Sequence, residues 1–162
     1  MFVHFTNSED RFEVSQKQIE RVVTATLEFK GVTCDDTSIY FVTSEEISKL
    51  HKEYFNDPTP TDCITFPMDH ADEDTAQKIL GEVFVCPEVA FAYSQEHGHN
   101  FNEELTLYVV HGLLHLLGFD DIEEEDRILM REEEKKCMDN LLANRLILSP
   151  KIKKPYICEL SE

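Results

Sequence analysis

The run Leu105-Thr106-Leu107-Tyr108-Val109-Val110-His111-Gly112-Leu113-Leu114-His115-Leu116-Leu117, closed by Gly118 and followed by Phe119-Asp120-Asp121, constrains the fold more than any other stretch. It predicts a helix over 101–117, with Asn100 and Glu103 as a capping pair at its start. Residues four apart project from one helix face, so the ring nitrogens of His111 and His115 can reach a single metal ion. A helix continued past His115 would turn residue 121 away from that face and carry it roughly 9 Å along the axis. Gly118 offers the alternative. Glycine takes the left-handed conformation that ends a helix without a steric penalty, and the chain can then return Asp121 beside the two rings. Three protein ligands leave a position open to water, the pattern of a catalytic rather than a sealed zinc site. The plainer reading packs both histidines among leucines. It leaves two imidazoles needing hydrogen-bond partners on a very apolar helix, and the glycine stop with its acidic pair favours the metal.

The rest of the chain reads as mixed helices and short strands. Strands are predicted at 2–6, 38–42, 63–66 and 82–85, and helices at about 15–29, 44–55, 87–96 and 122–146. Asn56 to Asp62 is a proline-rich loop, and a second, acidic loop surrounds Asp69 to Thr75. In the last helix Ile128, Leu129, Met130, Cys137, Met138, Leu141 and Leu142 form a mostly apolar side, and the charged remainder reads as solvated surface. Residues 149–162 read as a loosely held tail. This mixture predicts an α+β class, a small sheet packed by helices in one domain over 1–162.

Composition narrows the function classes. With 162 residues, 41% hydrophobic and 30% charged, the chain can bury a core, and no stretch approaches a membrane span. Five scattered cysteines without a CxxC predict free thiols and a reducing cytoplasm. A formal net charge of -18 opposes nucleic-acid binding at long range. Much of it sits in Glu123 to Asp126 and Glu132 to Glu134, where screening over about 8 Å limits its reach into a distant cleft. Lys151-Ile152-Lys153-Lys154 is the one basic cluster, read as a solvated tail.

The pattern HxxxHxxGxxD is close to the metal string of the metzincin peptidases, whose third ligand is His and occasionally Asp. Zinc peptidases carry Glu where this chain has Gly112, and glycine cannot move a proton. The full string HGLLHLLGFDD resembles much more closely the HGxLHLxGYDH signature of the YbeY family of bacterial metal-dependent endoribonucleases, the ribosomal RNA maturation factors. Leu80-Gly81-Glu82-Val83-Phe84-Val85 resembles the family's LGDI strand, and Glu96-His97-Gly98-His99 the segment before its metal helix. Pro60-Thr61-Asp62-Cys63-Ile64-Thr65-Phe66-Pro67 resembles its PTDVLSFP motif.

The resemblance implies a mixed sheet of about four strands with the metal helix beneath a cleft. It implies a metal-dependent, single-strand-specific endoribonuclease in ribosomal RNA processing (16S rRNA 3′ end maturation) and ribosome quality control. RNA, the small ribosomal subunit and its proteins would be the partners, with no membrane. The expected ligands are His111, His115 and Asp121 around one divalent ion, Zn2+ foremost, with Mn2+ or Fe2+ as alternatives. His115 would act through the ion's water, and Asp120 would orient a ligand or serve only the turn. Thr61, Asp62 and Thr65 line the cleft in the family motif, or serve loop chemistry alone. His97 and His99 read as surface histidines. Two positions depart from the family: Asp121 stands for a third histidine, and Phe55 for an arginine that would clamp phosphate. Phe55 offers only a stacking face. A non-catalytic, ribosome-associated metal-binding factor is the competing reading, and a metallopeptidase the remote one.

Overall fold

A computed structural model of the chain describes residues 1–57, 59, 61–68 and 78–153. The element order is β1 (Phe2–Asn7), β2 (Phe12–Glu13), α1 (Gln16–Phe29), β3 (Asp36–Phe41), α2 (Ser44–Phe55), β4 (Cys63–Pro67), β5 (Ile79–Val85), α3 (Pro87–His97), α4 (Phe101–Leu116), α5 (Glu124–Ala143) and β6 (Lys151–Ile152). Four strands form one mixed sheet in the order β1-β3-β5-β4, with β4 antiparallel to its neighbour and the others parallel. The class is α+β, as the sequence predicts. The loop around Asp69 to Thr75 lies outside the described residues.

Alternation along the strands sorts two faces. Ile39, Phe41, Val83 and Val85 are fully buried and meet α1 and α4 in the main core. On the opposite face Tyr40, Phe66 and Phe84 pack around Ile47 and Leu50 of α2. Side-chain caps start three helices: Ser15 on α1, Asn100 on α4, and Thr43 with Glu46 as a capping box on α2.

Helix α4 is the centre of the molecule, touching β4, β5, α1, α3 and α5. Leu105, Val109, Val110, Leu113 and Leu114 are fully buried along it. Each such side chain contributes about 1.5–3 kcal/mol relative to exposure, which outweighs the ~1 kcal/mol that glycine costs a helix interior. Gly112 has a specific reason. A Cβ there would stand 2.4 Å from Val83 Cγ1 and 2.9 Å from Cys63 Sγ, so the helix crosses the sheet at backbone contact.

Helix α5 departs from its expected surface. The buried positions are Met130, Glu133, Glu134, Cys137 and Leu141, whereas Ile128, Leu129 and Leu142 are exposed. Two glutamates enter the interface because each finds a partner there: Lys30 holds Glu133, and His111 holds Glu134. The helix also ends near Ala143 rather than 146. Beyond it, Leu148 is buried and its N–H donates to Thr106 Oγ1, Ser149 N–H donates to Gln18, and β6 pairs with β2. Residues 149–153 are therefore held more firmly than the sequence suggests, and the rest of the expected tail lies outside the described residues.

Candidate metal centre

The glycine-terminated end of α4 builds the site. Gly118 has φ +100°, its N–H donates to the His115 carbonyl, and Phe119 N–H donates to the Leu114 carbonyl. These two bonds are a Schellman motif, which satisfies the last carbonyls and reverses the chain. Asp121 then comes back to the face that carries the histidines. Asp121 Oδ2 lies 3.5 Å from His111 Nε2 and 3.6 Å from His115 Nε2, and the two Nε2 atoms are 3.0 Å apart. Ligands bound at ~2.0–2.1 Å with tetrahedral angles stand about 3.3 Å from one another. The triangle is the size of one face of a zinc tetrahedron. All three side chains are partly exposed, so the fourth direction is open to solvent.

Glu134 fixes the ring of His111. Its Oε1 lies 2.8 Å from Nδ1, and an ionised carboxylate can only accept, so Nδ1 donates. The neutral ring then carries its lone pair on Nε2, the atom facing His115 and Asp121. This carboxylate–histidine arrangement accompanies metal-ligating histidines generally. Burial, the largest influence on the His111 pKa, lowers it. The hydrogen bond and charge of Glu134, with the charges of Asp62 and Asp121, more than reverse that and leave it raised.

Two corners of the triangle, His111 and Asp121, line a cleft of about 680 Å³, and His115 stands behind them outside its lining. One wall is α3 and α4, with Val89, Tyr93, Glu104 and Tyr108, and the other is α5, with Arg127, Met130, Arg131 and Glu134. Thr61 and Asp62 lie at its edge, and Thr61 Oγ1 donates to Asp62 Oδ1 at 3.3 Å. His99 also lines it and bonds Glu104 at 3.2 Å, while the His97 ring stacks on Tyr93 at 4.0 Å.

Not every residue read from the sequence converges. Asp120 does not line the cleft; it borders a separate depression with Asp126 and Leu129, and its Oδ1 accepts the Asp121 N–H at 2.7 Å. Thr65 sits within β4 opposite Val83. Phe55 is exposed at the end of α2 against His51, and it too stands outside the cleft lining. Glu134 was missed because the run Glu132 to Glu134 looks like solvated charge. The available signal was its spacing, four residues after Met130 and three before Cys137, on the buried stripe.

The profile described as Endoribonuclease YbeY matches residues 4–142. This chain belongs to the YbeY endoribonuclease family. The Endoribonuclease YbeY of Protochlamydia amoebophila is 46% identical over 141 residues, 87% of this chain and 93% of that one. That of Chlamydia muridarum is 34% identical over 151 residues, 93% of this chain and 94% of its own. The solution structure of TM1509 from Thermotoga maritima superposes with a TM-score of 0.61 at 26% identity, covering 89% of this chain and 91% of that one. YbeY membership thus joins an endoribonuclease family to the open His111–His115–Asp121 triangle.

Proposed function

We propose that this chain is a metal-dependent endoribonuclease that cuts single-stranded RNA, with His111, His115 and Asp121 as the ligands of one divalent ion. The observation that carries the reading is the triangle of two ring nitrogens and a carboxylate oxygen, 3.0–3.6 Å on a side, at the wall of an open cleft. Two nitrogens and one carboxylate in a tetrahedral face suit Zn2+, and the hard oxygen ligand also suits Mn2+ or Fe2+. When bound, such an ion supplies Lewis acidity toward a phosphoryl oxygen and makes a hydrolytic water more acidic.

The protein's own side chains do the rest. Glu134 keeps the Nε2 lone pair of His111 turned inward. Thr61 and Asp62 hold the edge where a strand enters. His99 and the face of Tyr93 that His97 leaves uncovered offer aromatic surface on which an unpaired base can stack. The substrate proposed is ribosomal RNA, in 16S rRNA 3′ end maturation and ribosome quality control, beside the small ribosomal subunit. The proposed compartment is the cytoplasm, in keeping with the free thiols Cys34, Cys63, Cys86 and Cys137. None of the described helices is long and apolar enough to cross a membrane.

The test is cleavage of a single-stranded RNA by highly purified protein, with and without chelator, beside His115→Ala. Cleavage by the untreated protein alone supports the proposal, and equal cleavage in all three samples refutes it. One observation favours a metal-binding assembly factor instead: Gly112 faces the sheet and Asp120 lies outside the cleft, so neither supplies a base. Full metal content with no cleavage of any RNA would establish that second reading.

A further inference from the structure

The α5 wall of the cleft carries two arginines outside the candidate metal centre. Arg127 and Arg131 are one helical turn apart on the face that also bears Met130 and Glu134, and all four line the cleft. Glu134 is the residue bonded to His111, so the guanidinium groups stand one and two turns from the carboxylate that steadies the candidate metal centre. Both side chains are exposed, and among the described residues neither makes an ion pair within 4.0 Å. By contrast Arg11 is engaged with Glu9 and Glu88. Two unpaired arginines on one cleft wall are a notable expense of cation in a chain of net charge -18.

The surroundings are acidic, with Glu123 and Glu124 four and three residues before Arg127 on α5. Asp126 beside Arg127 lines the other depression, together with Asp120. Within the cleft, Asp62, Glu104, Asp121 and Glu134 carry negative charge. Of these, Glu134 is bonded to His111, Glu104 is bonded to His99, and Asp121 closes the triangle. At the end of α2, where the family resemblance implies an arginine, Phe55 is exposed and does not line the cleft. Among the described residues that line the cleft, the arginine and lysine side chains are Arg127 and Arg131, both on α5.

We propose that Arg127 and Arg131 form the phosphate clamp of this cleft, holding the backbone of single-stranded RNA across the mouth of the His111–His115–Asp121 triangle. The inference rests on the endoribonuclease reading. A guanidinium presents five donors in a planar fork that matches two phosphate oxygens at once, which a lysine ammonium does not. Each phosphate neutralised on a single strand releases about 0.7 of a counterion, so the clamp leaves a thermodynamic signature.

The probe is fluorescein-labelled decauridylate, its binding followed by anisotropy at KCl concentrations from 50 to 200 mM and its integrity checked afterwards. Arg127→Ala/Arg131→Ala should weaken binding at least tenfold at the lowest salt. It should also reduce the slope of log affinity against log salt by about 1.4, two phosphates at ~0.7 each. Arg127→Lys/Arg131→Lys should keep the slope and lose part of the affinity. Arg21→Ala, on α1 in a different shallow pocket, should change neither. Unaltered affinity and slope in the double alanine variant would overturn the clamp while leaving the endoribonuclease reading standing. If the unmodified protein does not bind the oligonucleotide at all, both fall together.

Discussion

Replacing Gly112 by alanine separates a packing role from ordinary helix propensity, because the two forecast opposite signs. In an exposed helix interior, glycine to alanine gains about 1 kcal/mol. Here the added Cβ would stand 2.4 Å from Val83 Cγ1, whereas carbon contacts settle near 3.5–4.0 Å. Val83 cannot yield easily. It is fully buried, β-branched, and sits on β5 between two paired strands. Helix α4 must therefore rise from the sheet by about 1 Å, and overpacking of this kind costs roughly 1–3 kcal/mol. With the clash against a stiff side chain, the upper end applies and the net loss is about 2 kcal/mol. In a domain of this size Tm should fall by roughly 4–8 °C. Thermal unfolding of Gly112→Ala, followed by circular dichroism, reads this directly. A Tm equal to or above that of the parent would refute the close-approach argument.

Two further outcomes follow from buried carboxylates. Glu134→Ala should weaken zinc affinity by roughly 10–100-fold in a competition titration with a chromophoric chelator, since the ring it steadies is a proposed ligand; unchanged affinity would remove Glu134 from the centre. Glu9 is 1% exposed, and its Oε2 has no hydrogen-bond partner. Burial, outweighing the Arg11 backbone N–H and charge, raises its pKa. A raised carboxyl favours the folded state only while protonated, below its ordinary range near about pH 4, and that contribution is lost as pH rises through the folded value. Urea midpoints should therefore show Glu9→Gln more stable than the parent at pH 7.5 and nearly equal at pH 3.5, and a less stable variant at pH 7.5 would contradict this.

Local pattern carried much of the fold into view. Ser15, Asn100, Pro87 and Gly118 punctuate the helices through short-range chemistry, so those boundaries are legible to within a residue or two, and the start of α2 is legible at Ser44 although its cap is Thr43 with Glu46. The triangle was also legible, because the i, i+4 spacing and a glycine stop are local facts with a definite geometry. What stayed hidden depends on partners distant in sequence. Glu133 and Glu134 look like solvent-facing charge until Lys30 and His111 are placed opposite them. The two-residue strands β2 and β6 have no periodicity of their own and exist through pairing with each other. Gly112 looked like a missing catalytic base, and only the sheet beneath α4 shows why a side chain has no room there.

The central claim is that two imidazoles and one carboxylate, gathered by a reversed helix end, hold a divalent ion. Its most direct test is zinc stoichiometry by elemental analysis of protein dialysed against dilute zinc, comparing the parent with Asp121→Ala. The account expects one ion per chain in the parent and less than a tenth of that in the variant. Equal zinc in both would show that Asp121 is not a ligand and would contradict the three-ligand centre.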